Sequence, residues 1–196
     1  MLRSHYNENY TEAGLDEVGR GCLAGPVVAA AVILPKNYTH PILTDSKQLS
    51  RSQREQLRDE LQRDALAWAV AEVSNEEIDR INILKASFLA MHQALDVVMN
   101  RADGVKPDHL LIDGNRFINY PMIPHTCIVK GDTKFLSIAA ASVLAKTYRD
   151  ELMEKLAIDF PHYGWERNVG YPTPFHRRAI QEFGPCRWHR MSFRLV

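Results

Sequence analysis

Residues 13–34 read AGLDEVGRGCLAGPVVAAAVIL. Ala13-Gly14-Leu15 is a short apolar strand that runs into two carboxylates, Asp16 and Glu17. A turn from Gly19 to Pro26 follows, and Val27–Leu34 is a second apolar strand. Strand, glycine-rich turn and strand together predict a hairpin. Strand ends in an open sheet face the crevice where ligands bind, so the carboxylates are candidate chemistry. Adjacent strand residues point to opposite faces. Asp16 and Glu17 can therefore share a site only if the strand ends or bulges there, or if one contributes its backbone carbonyl. Gly19 supplies a place for such a break.

Beyond the hairpin, Ser50-Arg51-Ser52-Gln53 predicts a capping box opening a helix to about Ala65. Trp68–Val73 predicts a third strand, and Ser74-Asn75-Glu76-Glu77 a second capping box. Leu84, Phe88, Met91, Leu95 and Val98 recur at helical spacing and form one buried stripe. Leu110-Leu111-Ile112 is a short strand ending at Asp113, and Thr126–Val129 is another, leading into Lys130-Gly131-Asp132. The Ala-rich stretch Ser137–Ala157 is helical. Thr173-Pro174 starts a last helix that stops near Gly184-Pro185. Three early strands followed by strand–helix units predict an α/β fold with a mixed sheet.

Composition narrows the class. The 196 residues are 45% hydrophobic and 24% charged, with formal net charge zero, the balance of a globular chain able to bury a core. Cys22, Cys127 and Cys186 have no metal-ligand or disulfide spacing, which points to a reducing compartment. A polar start and no apolar run long enough for a bilayer predict a soluble, cytoplasmic protein without membrane association. The charge is uneven: from residue 161 onward six arginines face only Glu166 and Glu182, a basic end that either is a solvated face or meets phosphates.

Three times an apolar strand leads to a carboxylate near glycine: Asp16-Glu17, Asp113 and Asp132. Taken singly, Asp113 and Asp132 read as turn residues. Taken together, converging carboxylates repel one another unless a cation joins them. Mg²⁺ and similar hard ions suit such oxygen ligands, and a pair of them can activate water and stabilise the leaving oxygen of a phosphodiester.

The ordered motifs add a family resemblance. Asp16-Glu17-Val18-Gly19-Arg20-Gly21, Leu23–Val28, Asp45-Ser46-Lys47-Gln48-Leu49-Ser50, Asn82-Ile83-Leu84, Ile112–Asn115, Lys130-Gly131-Asp132, Ser137–Ser142, Ala145-Lys146, Arg149-Asp150, Gly170–Thr173 and His189–Phe193 occur in that order. The set resembles ribonuclease HII from about residue 13 to 194, with Gln48 where the family usually has lysine. The resemblance implies a ribonuclease H-like mixed sheet flanked by helices. A single unit over residues 1–196 is expected, with a catalytic core at about 13–158 and a small helical, substrate-contacting part at about 159–196.

It also implies roles. Asp16, Glu17, Asp113 and Asp132 would hold two Mg²⁺ or Mn²⁺ ions, with Asp16 bridging them. Gly19, Arg20 and Gly21 would meet the ribonucleotide 2′-hydroxyl and the scissile phosphate, and two glycines permit that close approach. Tyr171 would stack on the sugar beyond the junction; without the family it reads as a buried tyrosine beside Pro172. Lys47 and Lys146 would contact phosphates. Ser142 is a weaker candidate, since a serine among alanines often only packs. Asp150 is either an outer-shell carboxylate or a solvated helix acid. The implied activity is endonucleolytic cleavage of RNA–DNA hybrids, and 5′ of ribonucleotides embedded in duplex DNA, leaving 3′-hydroxyl and 5′-phosphate ends. A monomer without an obligate protein partner is expected, acting in primer removal and ribonucleotide excision.

Three rivals remain. Ribonuclease HIII carries an extra N-terminal domain, for which the residues before Ala13 leave no room. A catalytically silent nucleic-acid-binding module would be expected to lack one of the four carboxylates. A metal phosphatase explains the carboxylates but not Gly19-Arg20-Gly21 with Tyr171.

Overall fold

A computed structural model describes residues 2–101 and 104–196 of the chain. Its sheet has five strands: β1 (Glu12–Val18), β2 (Val27–Ile33), β3 (Ala67–Val73), β4 (His109–Asp113) and β5 (His125–Ile128). The order is β3-β2-β1-β4-β5. The first three strands are antiparallel, while β1–β4 and β4–β5 are parallel. The expected mixed α/β sheet, flanked by helices, is present.

Alternation along β2 explains its unbroken apolar run. Val27, Ala29, Ala31 and Ile33 join one core with Ala13, Leu15, Leu110 and Ile112. This core packs against helix α3 (Ile83–Met99); helix α2 (Asn75–Ile81) precedes α3. Val28, Ala30 and Val32 join a second core, built with helices α1 (Arg51–Asp64) and α4 (Leu136–Asp159). A strand buried on both faces needs apolar residues at every position. Gly14 permits the close seat of α4 on β1, because a Cβ there would lie 2.2 Å from the backbone carbon of Ser137.

Several local predictions are met. Ser50 and Gln53 form both halves of a capping box, worth about 1 kcal/mol to the helix. Ser74 caps α2 through Glu77 N–H, but Glu77 turns its carboxylate to Arg80, so only half of that box forms. Thr173 caps helix α6 (Pro174–Phe183), which stops at Gly184. Between α4 and α6 lie a 3₁₀ turn (Pro161–Tyr163) and the short helix α5 (Trp165–Asn168). Residues of these last elements pack on the end of α4 around Met153, Trp165 and Ile180.

Three expectations need correction. The β1 strand neither ends nor bulges at Asp16-Glu17. Pairing with β2 continues through Asp16, Glu17 and Val18, and the chain turns only at Gly19. Strand β5 stops at Ile128 and leaves Val129 exposed; Asp132 sits beyond it in the 3₁₀ turn Gly131–Thr133, entered through left-handed Lys130. The basic C-terminal segment is not simply a solvated face, because Arg190 is fully buried.

Candidate active site

Three of the four carboxylates, Asp16, Glu17 and Asp113, lie at the carboxyl ends of the parallel pair β1–β4. Leu15 lies opposite Ile112, so the next residues, Asp16 and Asp113, stand side by side at the sheet's end. Alternation sends Asp16 toward α4 with Gly14, and Glu17 toward α3 with Ala13 and Leu15. The site thus straddles the end of β1. One side is a cleft of about 370 Å³ lined by Asp16, Glu17, Val18, Ser46, Arg54, Ser142, Lys146 and Tyr171. The other is a hollow of about 290 Å³ where Glu17, Arg20 and Asp113 meet Leu84, Phe88 and Met91.

Asp16 is only 7% exposed. Burial first, then repulsion from Glu17 and Asp113, pushes its carboxyl well above the usual range. Hydrogen bonds from Ser142 and from the Glu17 N–H (2.7 Å) act the other way. Glu17 is also raised, mainly by burial, with Arg20 opposing and Asp113 adding to the shift. Arg20 reaches Glu17 Oε1 at 3.0 Å. Asp113 Oδ1 accepts from Gly131 N–H at 2.7 Å, which draws in the turn carrying buried Asp132. The strongest influences on Asp16 include no cation. Among the described residues, no three Asp, Glu, His or Cys side chains are gathered closely enough to hold one ion. Arg20 and Gly131 occupy oxygens of Glu17 and Asp113 instead.

The other sequence-derived residues distribute around this centre. Lys146 and Tyr171 share the cleft with Asp16, and Tyr171 is 37% exposed rather than buried. Lys146 Nζ is 2.7 Å from Asp150 Oδ1, and Arg54 is 3.6 Å from the same carboxylate. Asp150 is therefore an ion-pair partner of cleft cations and not a solvated acid. Ser142 does more than pack: its Oγ lies 2.9 Å from Ser46 Oγ while its hydroxyl serves Asp16. Lys47 belongs to the 3₁₀ turn Ser46–Gln48, but its side chain lies outside the described residues. Arg54 was missed in the sequence, although it directs Nη1 to the carbonyls of Ser46 and Leu49 and steadies this turn. Its only sequence signal was a position one helical turn after the Asp45–Ser50 motif.

Gly19 and Gly21 differ in purpose. Gly19 has φ +93, and a Cβ there would lie 2.2 Å from Arg149 Nε. Gly21 has nothing within 4 Å of such a Cβ, so the open side of this turn is available for a ligand to approach the backbone.

The mixed five-stranded sheet flanked by helices, with acidic side chains at its strand ends, is a ribonuclease H-like fold. The family model described as Ribonuclease HII matches residues 13–196. The chain is 61% identical to ribonuclease HII of Bacteroides fragilis, spanning all of this chain and 95% of that protein. It is 56% identical to ribonuclease HII of Porphyromonas gingivalis, spanning all of this chain and 96% of that one. The solved ribonuclease H2 of Pyrococcus horikoshii superposes with TM-score 0.75 at 25% identity, covering 94% of each chain. The chain belongs to the ribonuclease HII family, and is accordingly an endoribonuclease acting on nucleic acid. No described helix is long and apolar enough to cross a membrane.

Proposed function

We propose that this chain hydrolyses the phosphodiester on the 5′ side of a ribonucleotide, both in RNA–DNA hybrids and at single ribonucleotides in duplex DNA, leaving 3′-hydroxyl and 5′-phosphate ends. The supporting observation is the placement of buried, mutually repelling Asp16 and its neighbours Glu17 and Asp113 beside an open Gly19–Gly21 turn and exposed Tyr171. The donor set fits hard divalent cations: oxygen ligands only, with buried Asp16 repelled by Glu17 and Asp113. Asp16, Glu17, Asp113 and Asp132 would hold two Mg²⁺ or Mn²⁺ ions, and Glu17 would exchange Arg20 for that role. Ions held there would supply an activated water and stabilise the leaving oxygen.

The protein's own groups select and orient the substrate. Backbone groups of Gly19, Arg20 and Gly21 face the ribose, and the 2′-hydroxyl is what separates RNA from DNA at one sugar. Tyr171 lines the cleft with Asp16 and Lys146, where it would pack on the neighbouring sugar. Lys146 and Lys47 neutralise backbone phosphates, with Asp150 pairing to both Lys146 and Arg54. The part from about residue 159 onward contributes Tyr171 and so takes part in binding. In the cytoplasm this activity would serve primer removal and ribonucleotide excision, with the chain working as a monomer.

The test is cleavage of a labelled DNA duplex carrying one ribonucleotide, with Mg²⁺, Mn²⁺ or EDTA, beside an all-DNA control. A single cut 5′ of the ribonucleotide, lost in EDTA and absent from the control, is expected. No cut with either ion from folded protein would reject the proposal.

A further inference from the structure

Two arginines are fully buried, Arg149 on α4 and Arg190 in the closing segment. Buried cations normally sit against carboxylates. These two instead donate their guanidinium hydrogen bonds to backbone carbonyls. Arg149 donates Nε to Pro26 (3.0 Å), Nη1 to Val169 (2.8 Å) and Nη2 to Ala24 (2.9 Å). Arg190 donates Nε to Gly25 (2.9 Å), Nη1 to Arg20 (3.1 Å) and Nη2 to Pro26 (3.1 Å). Five of these six bonds end on residues 20–26, which form no ladder of their own until Pro26 leads into β2. The sixth ends two residues before Tyr171.

The loop is moulded on these side chains. A Cβ at Gly19 would strike Arg149, and Cβ atoms at Gly25 and Gly170 would each come within 3.4 Å of its Nη2. Main-chain bonds complete the frame: Leu23 N–H to Gly170 carbonyl, Gly25 N–H to Trp188 carbonyl and Arg190 N–H to Leu23 carbonyl. A buried carbonyl needs a donor, but neutral donors would serve that need without the cost of burying charge. What a guanidinium adds is a rigid planar fork that fixes several acceptors at once.

From this geometry we infer that Arg149 and Arg190 are positioning residues: they set the placement of the Gly19–Gly21 turn relative to Tyr171, and through it the enzyme's selectivity for an isolated ribonucleotide. The inference rests on the reading of that turn and Tyr171 given above. A continuous hybrid offers 2′-hydroxyls on successive sugars and a helical shape of its own. A lone ribonucleotide offers one hydroxyl, which must meet a turn and a tyrosine held at the right separation. Errors of about 1 Å in such placement can cost about 100-fold in rate.

The experiment measures kcat/KM of wild type, Arg149→Lys and Arg190→Lys on a duplex with one ribonucleotide and on a continuous RNA–DNA hybrid, well below each variant's Tm. Lysine keeps the charge and loses the fork. The single-ribonucleotide value should fall at least about tenfold further than the hybrid value. A role confined to holding the fold together would lower both values by the same factor, and that result overturns the inference. If wild type does not cut the single-ribonucleotide duplex, the proposed function fails and carries this inference with it. Should the lysine variants not fold, Asp79→Ala replaces them. Asp79 accepts from Met191 N–H, Ser192 N–H and Ser192 Oγ, and so anchors the segment just after Arg190 from α2. Its loss should lower the same ratio, and an unchanged ratio in folded Asp79→Ala overturns the inference.

Discussion

Exchanging Gly19 and Gly21 for alanine, one at a time, should separate stability from activity within three residues. At Gly19 the backbone has φ +93 and the new Cβ would lie 2.2 Å from Arg149 Nε and 2.8 Å from its Cδ. Arg149 cannot swing aside, since its guanidinium is buried and bonded to three carbonyls. Left-handed backbone at a non-glycine residue costs about 1–2 kcal/mol, and overpacking adds roughly 1–3 kcal/mol. A total near 3 kcal/mol lowers Tm by about 6–12 °C in a chain of this size. At Gly21 no heavy atom lies within 4 Å of the added Cβ, so Tm should stay within about 2 °C of wild type, as for an open surface site. The methyl group would instead stand where substrate is proposed to approach, and cleavage of the single-ribonucleotide duplex should drop at least about tenfold. Thermal unfolding followed by circular dichroism, with cleavage measured at 25 °C, reads both effects. A Gly19→Ala protein melting with wild type would refute the moulding of the loop on Arg149. A fully active Gly21→Ala protein would refute the close backbone approach.

Asp16→Asn should abolish cleavage, by about 10³-fold or more, yet raise the Tm of the metal-free protein. Asparagine keeps an acceptor for the Glu17 N–H and Ser142 but no longer repels Glu17 and Asp113; wild-type turnover or a lower Tm would contradict this. Tyr171→Ala should impair cutting at single ribonucleotides more than cutting of continuous hybrids, and equal losses would count against junction sensing. Acid should destabilise the cluster of His176, His189 and Trp165. Burial holds His189 down to about 4 and lowers His176 as well. Between pH 6.5 and about 4 the unfolded chain therefore binds protons that the folded chain refuses, so stability falls as pH falls and is flat above that window. For His189 the difference reaches about 3 kcal/mol. Raised Asp16 and Glu17 act in the opposite sense, so the measurement is wild type against His189→Gln; equal pH slopes would reject the assignment.

The class of sheet and its helices were legible in the residues alone, because these depend on local rules. The capping box at Ser50, the stripe from Leu84 to Val98 and the apolar run of β2 each follow from short-range periodicity or from one hydrogen bond within a turn. The motif order also marked Asp16, Glu17, Asp113, Tyr171 and Lys146 as belonging together, and the structure brings these around one strand end. How they meet follows from the packing of the strands. The parallel register of Leu15 with Ile112 sets Asp16 beside Asp113, and register between strands nearly a hundred residues apart is chosen by packing on both sheet faces, which no local pattern encodes. The same holds for Arg149 and Arg190. In sequence they stand within the motifs Arg149-Asp150 and His189–Phe193, where nothing local marks them as buried. In the fold they are buried because an irregular loop needs donors for its carbonyls, and those donors arrive from segments distant in the chain.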